Sequence, residues 1–383
     1  MRHERQVEFL RRLAKSGEHQ HGLFGVRSRA QPASAYTDPE RFERERRVLF
    51  CRGPALIGLT GECASPGAYL TARFGRVPVL VIRQPDGTLR AMVNACRHRG
   101  APLAEGTGTG VHRLVCGYHG WTYGTDGALR SRPLSHGAFD DAAGDCDLIP
   151  RSVAEKHGLI FVRPDSTESI DVDSFLAGAS DDLGAFHLDG YVLVESRVRE
   201  WKMNWKLLLD TFGEAYHIRT LHRETIAPSF DSGCTMFEAF GPHLVNIGFR
   251  KNIHEELAKP EEEQSLLPYG TIQYFLLPNA MLCHQVDHLE LWRIEPIDVR
   301  TTRVTTSVFG IGPTISDKAE RHLRRNLDLL LDVTGREHFP LMERIQTTLD
   351  SGVLPHVVFG RIEPALSHFH TSVEQALERG GLE

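Results

Sequence analysis

The chain has no apolar run approaching the roughly 18 residues that a membrane-crossing helix needs. It has no excess of basic charge either. Asp and Glu outnumber Lys and Arg by 50 to 44, for a net charge of −6, which speaks against a nucleic-acid binder, whose footprint is a basic surface. A disulfide framework is also missing. The seven cysteines, Cys51, Cys63, Cys96, Cys116, Cys146, Cys234 and Cys283, are odd in number and scattered, which points to a reducing, cytoplasmic setting. The N-terminus, MRHERQVEFLRRLAKSG, is basic but has no signal-peptide core, and Glu4 and Glu8 weaken a transit-peptide reading. A short amphipathic surface helix is the expectation there. There is no internal repeat and no low-complexity tract. What remains is 383 residues, 41% hydrophobic and 25% charged, an ordinary globular composition long enough for two domains.

The richest stretch is NACRHRGAPLAEGTGTGVHRLVCGYHGW, residues 94–121. It carries Cys96-x-His98 and, after 17 intervening residues, Cys116-x-x-His119. Thiolate and imidazole together suit iron–sulfur clusters, zinc or copper. Each half pairs one Cys with one His, which fits a [2Fe–2S] cluster with Cys96 and Cys116 on one iron and His98 and His119 on the other. A structural zinc site is the alternative, although zinc sites more often show C-x-x-C and H-x3–5-H spacing. Gly106, Gly108 and Gly110 between the halves precede no helix pattern and read as hairpin turns, not as a nucleotide-binding loop.

CRHRG, CGYHGW and the TYGTDGALRSRP that follows resemble the Rieske domain of the Rieske non-heme iron oxygenases, the terminal oxygenase (alpha) subunits of aromatic ring-hydroxylating systems. The rest of the chain agrees with that resemblance. Thr37 or Asp38 is placed to cap a helix with Pro39 in its first turn, and Phe42, Val48, Leu49 and Phe50 offer it a buried face. From Ala55 to about Arg163 come short β runs, ALIGLT, AYLTARF, VPVLVIR, LRAMVNA and finally LIFVRP, punctuated by turns such as Pro85-Asp86-Gly87. Residues 165–190 are acidic and read as a connection. Then come a strand running into a helix over 191–206, six further β runs between Thr235 and Ile311, and helices over Asp317 to Val333, Arg336 to Leu349 and Ser367 to Glu378. The fold class is α+β. The resemblance implies a small antiparallel β Rieske domain plus a helix-grip (START-like) catalytic domain, divided as an N-terminal helical segment 1–50, a Rieske domain 51–165 and a mononuclear iron domain 166–383.

The second metal constellation is NWKLLLDTFGEAYHIRTLH, residues 204–222, with Glu214-x-x-His217-x4-His222. Two imidazoles and a carboxylate are how non-heme Fe(II) oxygenases hold their metal. Five residues apart, the two histidines sit about 140° apart on a straight helix, so both reach one ion only if the helix ends or distorts between them. By resemblance, His217 and His222 are the family's two histidine ligands. Glu214 is the acidic link to the cluster of the neighbouring subunit, and Asp210 is a candidate for support behind the ligands. The third ligand departs from the pattern. The family's Asp-x4-Glu-x-x-Gln, aligned on Glu343 and Gln346, puts His338 where Asp belongs. Three readings stay open: His338 ligates, Glu337 swings in, or water completes the site, with His338 preferred.

The resemblance further implies O2-dependent hydroxylation, by mono- or dioxygenation or oxidative demethylation, of a small organic, aromatic substrate. Electrons from NAD(P)H would come through a reductase, with or without a ferredoxin, and the chain would form a homotrimer. A Rieske electron carrier with a degenerate second site is the alternative. Pocket-lining candidates are Phe212, Phe237, Phe275 and Trp292, with ordinary core packing as the alternative reading for each. His368, His370 and the tract Glu18-His19-Gln20-His21 are expected to be packing or surface residues.

Overall fold

The computed structural model describes residues 1–16, 25, 27–134, 137, 139, 146–312 and 314–382, apart from the side chains of 232–234. The Glu18 to His21 tract and the Cys234 side chain lie outside the described residues. The β runs expected from alternation pair as a seven-stranded antiparallel sheet. Its spatial order is Ala55–Leu59, Leu159–Arg163, Pro150–Lys156, Leu89–Val93, Val77–Arg83, Tyr69–Phe74 and Thr107–Gly108. A three-stranded sheet, Arg113–Val115, Thr122–Gly124 and Leu129–Ser131, stands beside it. Period-two alternation along Val77–Arg83 sends Val79 and Val81 into one apolar cluster and Leu80 and Ile82 into another. The second cluster is the one that holds Cys96 and Cys116.

A second seven-stranded antiparallel sheet makes up the larger part of the fold. Its order is Tyr191–Trp201, Thr301–Ile311, Leu289–Asp298, Ala280–His284, Gly270–Leu276, His243–Arg250 and Phe230–Phe240. Apart from the first strand, it is a meander in chain order. The helix Asp317–Val333 lays Leu323, Leu327 and Leu331, an i, i+4, i+8 stripe, against Val308. The helices Trp205–Phe212, Phe339–Asp350 and Pro364–Arg379 contribute to the main core with Trp205, Phe339 and Phe369. Asn279 ties the two sheets together, since its amide accepts from Leu56 N at 3.0 Å and donates to Leu56 O at 2.8 Å.

The helix Pro39–Arg47 forms as expected: Asp38 accepts from Glu40 N and Arg41 N, with Pro39 in the first turn. Its Glu45 is buried and binds both Lys206 Nζ, at 2.6 Å, and Trp205 Nε1, at 3.0 Å. A buried ion pair gives little net stability, but removing one partner strands a charge at a cost of about 3–5 kcal/mol. The contact therefore fixes where the helix Trp205–Phe212 begins. Two expectations differ from what is found. The N-terminal helix His3–Ser16 is not merely superficial. Phe9 and Leu10 are fully buried, and Arg12 pairs with Glu238 at 2.9 Å. The apolar stripe was legible; the Glu238 that Arg12 reaches lies 226 residues away. The 165–190 connection holds two short helices, Val172–Leu176 and Ala179–Gly184, which bury Phe175, Leu176 and Leu183.

Candidate metal centres

Cys96 and Cys116 head two loops of the same construction. In one, Cys96 N donates to Ala101 O and Gly100 N to Cys96 O, both at 2.8 Å; in the other, Cys116 N donates to Trp121 O and Gly120 N to Cys116 O, at 2.8 and 2.9 Å. Gly100 and Gly120 close them at φ +76° and +70°, a left-handed conformation that side chains resist. The loops bury both cysteines, whereas His98 is half-buried and His119 exposed. His98 Nδ1 and His119 Nδ1 stand 3.0 Å apart, and Trp121 stacks on His98 at 5.0 Å. Burial opposes ionisation of Cys116. The N–H groups of Tyr118 and His119 and a contact with the Cys96 thiol outweigh it and lower its pKa, favouring the thiolate that a metal requires.

These donors form two close pairs, sulfur with sulfur and nitrogen with nitrogen. A tetrahedral zinc with bonds of about 2.0–2.3 Å would gather all four donors within about 3.8 Å of one another. Among the described residues, the only three metal-type donors within 4.8 Å of one another are those of His217, His222 and His338. The Cys96, His98, Cys116, His119 set is thus not arranged around one ion. It fits a two-iron cluster with thiolates at one iron and imidazoles at the other. Replacing His98 with Ala is expected to abolish the cluster's visible absorption while the far-ultraviolet circular dichroism stays near wild type; a cluster spectrum that persists removes His98 from the ligand set.

At the second centre, Asn204 caps the helix Trp205–Phe212 by accepting from Lys206 N at 3.1 Å. The helix stops at Gly213, and a single turn, Ile218–Leu221, follows with His217 before it and His222 after it. The break expected between the two histidines is not there: Leu221 N donates to His217 O at 2.8 Å and His222 N to Ile218 O at 3.1 Å, so the residues between them form a continuous helical turn, and the interruption lies ahead of both, after Gly213. The two imidazoles still converge because they stand at the two caps of that single turn, where His222 has left helical geometry at φ −103° and ψ 28°. His338 arrives from a distant segment. Glu343 Oε1 accepts from Lys202 N at 2.7 Å and Gln346 Oε1 accepts from Asn204 N at 2.9 Å. These bonds pin the helix Phe339–Asp350 against the start of the helix Trp205–Phe212. A wide π-helical turn, Thr334–His338, precedes it and sets which side chain points inward.

That side chain is His338. Its Nε2 lies 3.0 Å from His217 Nε2 and also meets His222 Nε2. Glu337 binds His222 Nδ1 instead and accepts from Thr225 Oγ1 at 3.0 Å. Glu214 binds His217 Nδ1, and its other oxygen accepts from His217 N at 3.1 Å. The two carboxylates thus occupy the outer nitrogens, and all three Nε2 atoms share one point. Burial, then His217 and His222, push His338 well below the usual histidine pKa. His222 is also lowered, by burial first, against the opposing pull of Glu337. Neutral imidazole is the form that binds a metal.

Asp210 stands apart from this group. It accepts from Tyr36 Oη at 2.7 Å and meets His370 Nε2 at 2.9 Å. His370, expected only to pack, is fully buried in that triad. Nothing in its own spacing marked it, because its partners lie about 160 and 330 residues away. Of the four pocket candidates, only Phe212 lines the cavity beside the histidines. Trp292 is buried behind it, Phe275 is core, and Phe237 packs on His368.

Comparison with known proteins finds the two domains that carry these residues. Residues 55–156 match the Rieske [2Fe–2S] domain, and residues 188–379, half of the chain, match the ring hydroxylating alpha subunit catalytic domain. The glycine betaine monooxygenase oxygenase subunit of Chromohalobacter salexigens is 29% identical over 312 residues, covering 72% of this chain and 69% of that one. The large oxygenase component of the naphthalene 1,2-dioxygenase system of Ralstonia sp. is 34% identical over 208 residues, 52% of this chain and 45% of that one. This chain thus aligns with about half of that relative's length. A quaternary ammonium Rieske monooxygenase in complex with L-carnitine superposes with a TM-score of 0.76 at 21% identity, over 91% of this chain and 95% of that one, which is a likeness of fold. No helix among the described residues is long and apolar enough to cross a membrane. With a Rieske [2Fe–2S] domain followed by the catalytic domain that binds mononuclear iron, the chain belongs to the ring hydroxylating alpha subunits, the Rieske-type oxygenases.

Proposed function

We propose that this chain is a terminal oxygenase in which Cys96, His98, Cys116 and His119 hold the cluster and His217, His222 and His338 hold the mononuclear iron. The observation that carries the reading is the meeting of three imidazole Nε2 atoms at one point, two of them steered from behind by Glu214 and Glu337. Carboxylates on the outer nitrogen fix the tautomer and orientation of a ligating histidine and raise its basicity. When bound, the iron supplies O2 activation, fed by single electrons from the cluster. The protein's part is to hold the imidazoles neutral and aimed, to admit the substrate through the adjoining cavity, and to keep Glu214 in contact with His217. We assign residues 51–165 to the cluster domain and 166–383 to the iron domain, behind the helical segment 1–50.

We further propose a cytoplasmic homotrimer supplied by an NAD(P)H-dependent reductase, with or without a ferredoxin. His119 and Tyr118 on the cluster side and Tyr216 next to Glu214 are all exposed, the two tyrosines at 60% and 69%. Exposed aromatics beside each centre suit a contact in which one chain's cluster faces the next chain's Glu214. A head-to-tail contact of that kind closes as a ring. Iron, zinc and acid-labile sulfide measured on anaerobically purified protein test the assignment. About three irons and two sulfides per chain are expected. About two irons and two sulfides would leave an electron carrier, and zinc without sulfide would remove the oxygenase reading altogether.

A further inference from the structure

Taking that reading of the site as given, we propose that its cavity is built for a small organic anion whose far end donates hydrogen bonds, and not for an unsubstituted hydrocarbon. The cavity, about 930 Å³, runs from the three histidines over the face of the large sheet. Its floor there is polar. Asn246 pairs in register with Gln273, Gln273 with Cys283, and Cys283 with Glu290, a single row across four strands. Asn246, Gln273 and Glu290 line the cavity. Asn246 is 2% exposed, and its Nδ2 donates to Phe212 O at 3.3 Å and approaches Gln273 Oε1 at 3.5 Å. Those contacts orient the amide and leave its Oδ1 buried with no partner. Among the described residues, the buried Glu290 carboxylate meets only long contacts, 3.4 Å to Trp292 Nε1 and 3.4 Å to His288 Nε2. Unfilled acceptors in a buried floor call for N–H or O–H groups on the ligand.

The other end of the same strand carries the opposite demand. Asn246, Gly248 and Arg250 alternate onto the cavity face, as a period of two requires. The Arg250 guanidinium lies over the Phe230 ring at 5.2 Å, and its Nε is buried without a partner. Lys251 adds a second cation to the cavity wall. Arginine is suited to a carboxylate, which it binds through two parallel N–H groups. Four residues of strand separate the Asn246 and Arg250 α-carbons by about 13 Å, so the ligand is a short molecule with a carboxylate at one end and donors at the other. Between them, a Cβ built on Gly248 meets nothing within 4 Å. The space above Gly248 therefore belongs to the ligand.

The test is calorimetric binding to the holoprotein, with iron and sulfide measured on every sample. The probes are 4-hydroxybenzoate, 4-aminobenzoate and the ω-hydroxy and ω-amino carboxylates of four to eight carbons, each beside its methyl ester, with naphthalene and indole as uncharged controls. At least one free acid should bind with Kd below about 1 mM, the upper end of ordinary enzyme affinities. Its methyl ester and the Arg250→Gln variant should each weaken that binding roughly 10- to 100-fold, the worth of one charged hydrogen bond. Gly248→Leu should abolish it, with iron content unchanged in both variants. The proposal is overturned if naphthalene or the esters bind wild type and Arg250→Gln as tightly as the acids do, or if no acid binds at all. Failure of the oxygenase reading itself shows separately, as missing iron or sulfide in the wild-type protein.

Discussion

Replacing His338 with Ala is expected to empty the mononuclear site while leaving the cluster intact. Iron should fall from about three to about two per chain with sulfide unchanged at about two, and oxygenation should stop. Removing a hydrogen-bond partner behind a ligand costs 10- to 100-fold in metal affinity, so removing one of three ligands should cost more than about 100-fold. Glu337→Ala is the control, because Glu337 reaches only the outer nitrogen of His222. It should lose iron within that 10- to 100-fold range and retain some turnover. If Glu337→Ala empties the site and His338→Ala does not, the ligand is Glu337, and the shared point of the three Nε2 atoms has another meaning. The His338→Ala cavity is also too small a change to unfold the protein, since the helix Phe339–Asp350 keeps its anchors through Glu343 and Gln346. Far-ultraviolet circular dichroism should therefore match wild type.

The second large effect is complementation between two inactive variants. His98→Ala chains, expected to lack the cluster, and His217→Ala chains, expected to lack the iron, should each be inactive alone. Co-refolded or co-expressed, they should regain turnover, because an intact cluster on one chain then faces an intact iron on the next. With random mixing in a closed ring, about one junction in four has both partners sound, so activity near a quarter of wild type is the expected result. No recovery in mixed assemblies shown to contain both chains would place electron transfer within one chain. Glu214→Ala refines this result. It should lower turnover sharply with the cluster retained, and it should not be rescued by mixing with His217→Ala, since both lesions lie on the accepting side.

Much of the fold was legible from local chemistry. The Asp38 cap with Pro39, the alternating run Val77–Arg83 and the 17-residue helix Asp317–Val333 stand where capping and periodicity placed them. Less legible was anything with a distant partner. The N-terminal helix showed its apolar stripe, but not that Glu238 waits for Arg12. Asp210 drew attention by lying one turn ahead of Glu214, yet it works with Tyr36 and His370. The pocket candidates were chosen as apolar residues of the large domain, with core packing as the alternative for each. Phe275 and Trp292 share a sheet face with Gln273 and Glu290 but stand one row further along, buried in the core with Phe212 packed on Trp292, while Asn246, Gln273 and Glu290 line the cavity.

By itself, the sequence singled out the two candidate metal-binding segments, because their proposed donors are close neighbours in the chain: Cys96 with His98, Cys116 with His119, and His217 with His222. It also suggested a helix ending between His217 and His222, about 140° apart on a straight helix, whereas the structure keeps Ile218–Leu221 helical and puts the break ahead of both histidines, at Gly213. The tertiary structure alone decided which side chain meets those two imidazoles. Glu337 and His338 are adjacent, and periodicity cannot say which of them faces inward. The choice is made by a π-helical turn and by two side chains, Glu343 and Gln346, that seat the following helix on the backbone of Lys202 and Asn204. Contacts across more than 140 residues thus rotate His338 toward the other two imidazoles and leave Glu337 behind His222.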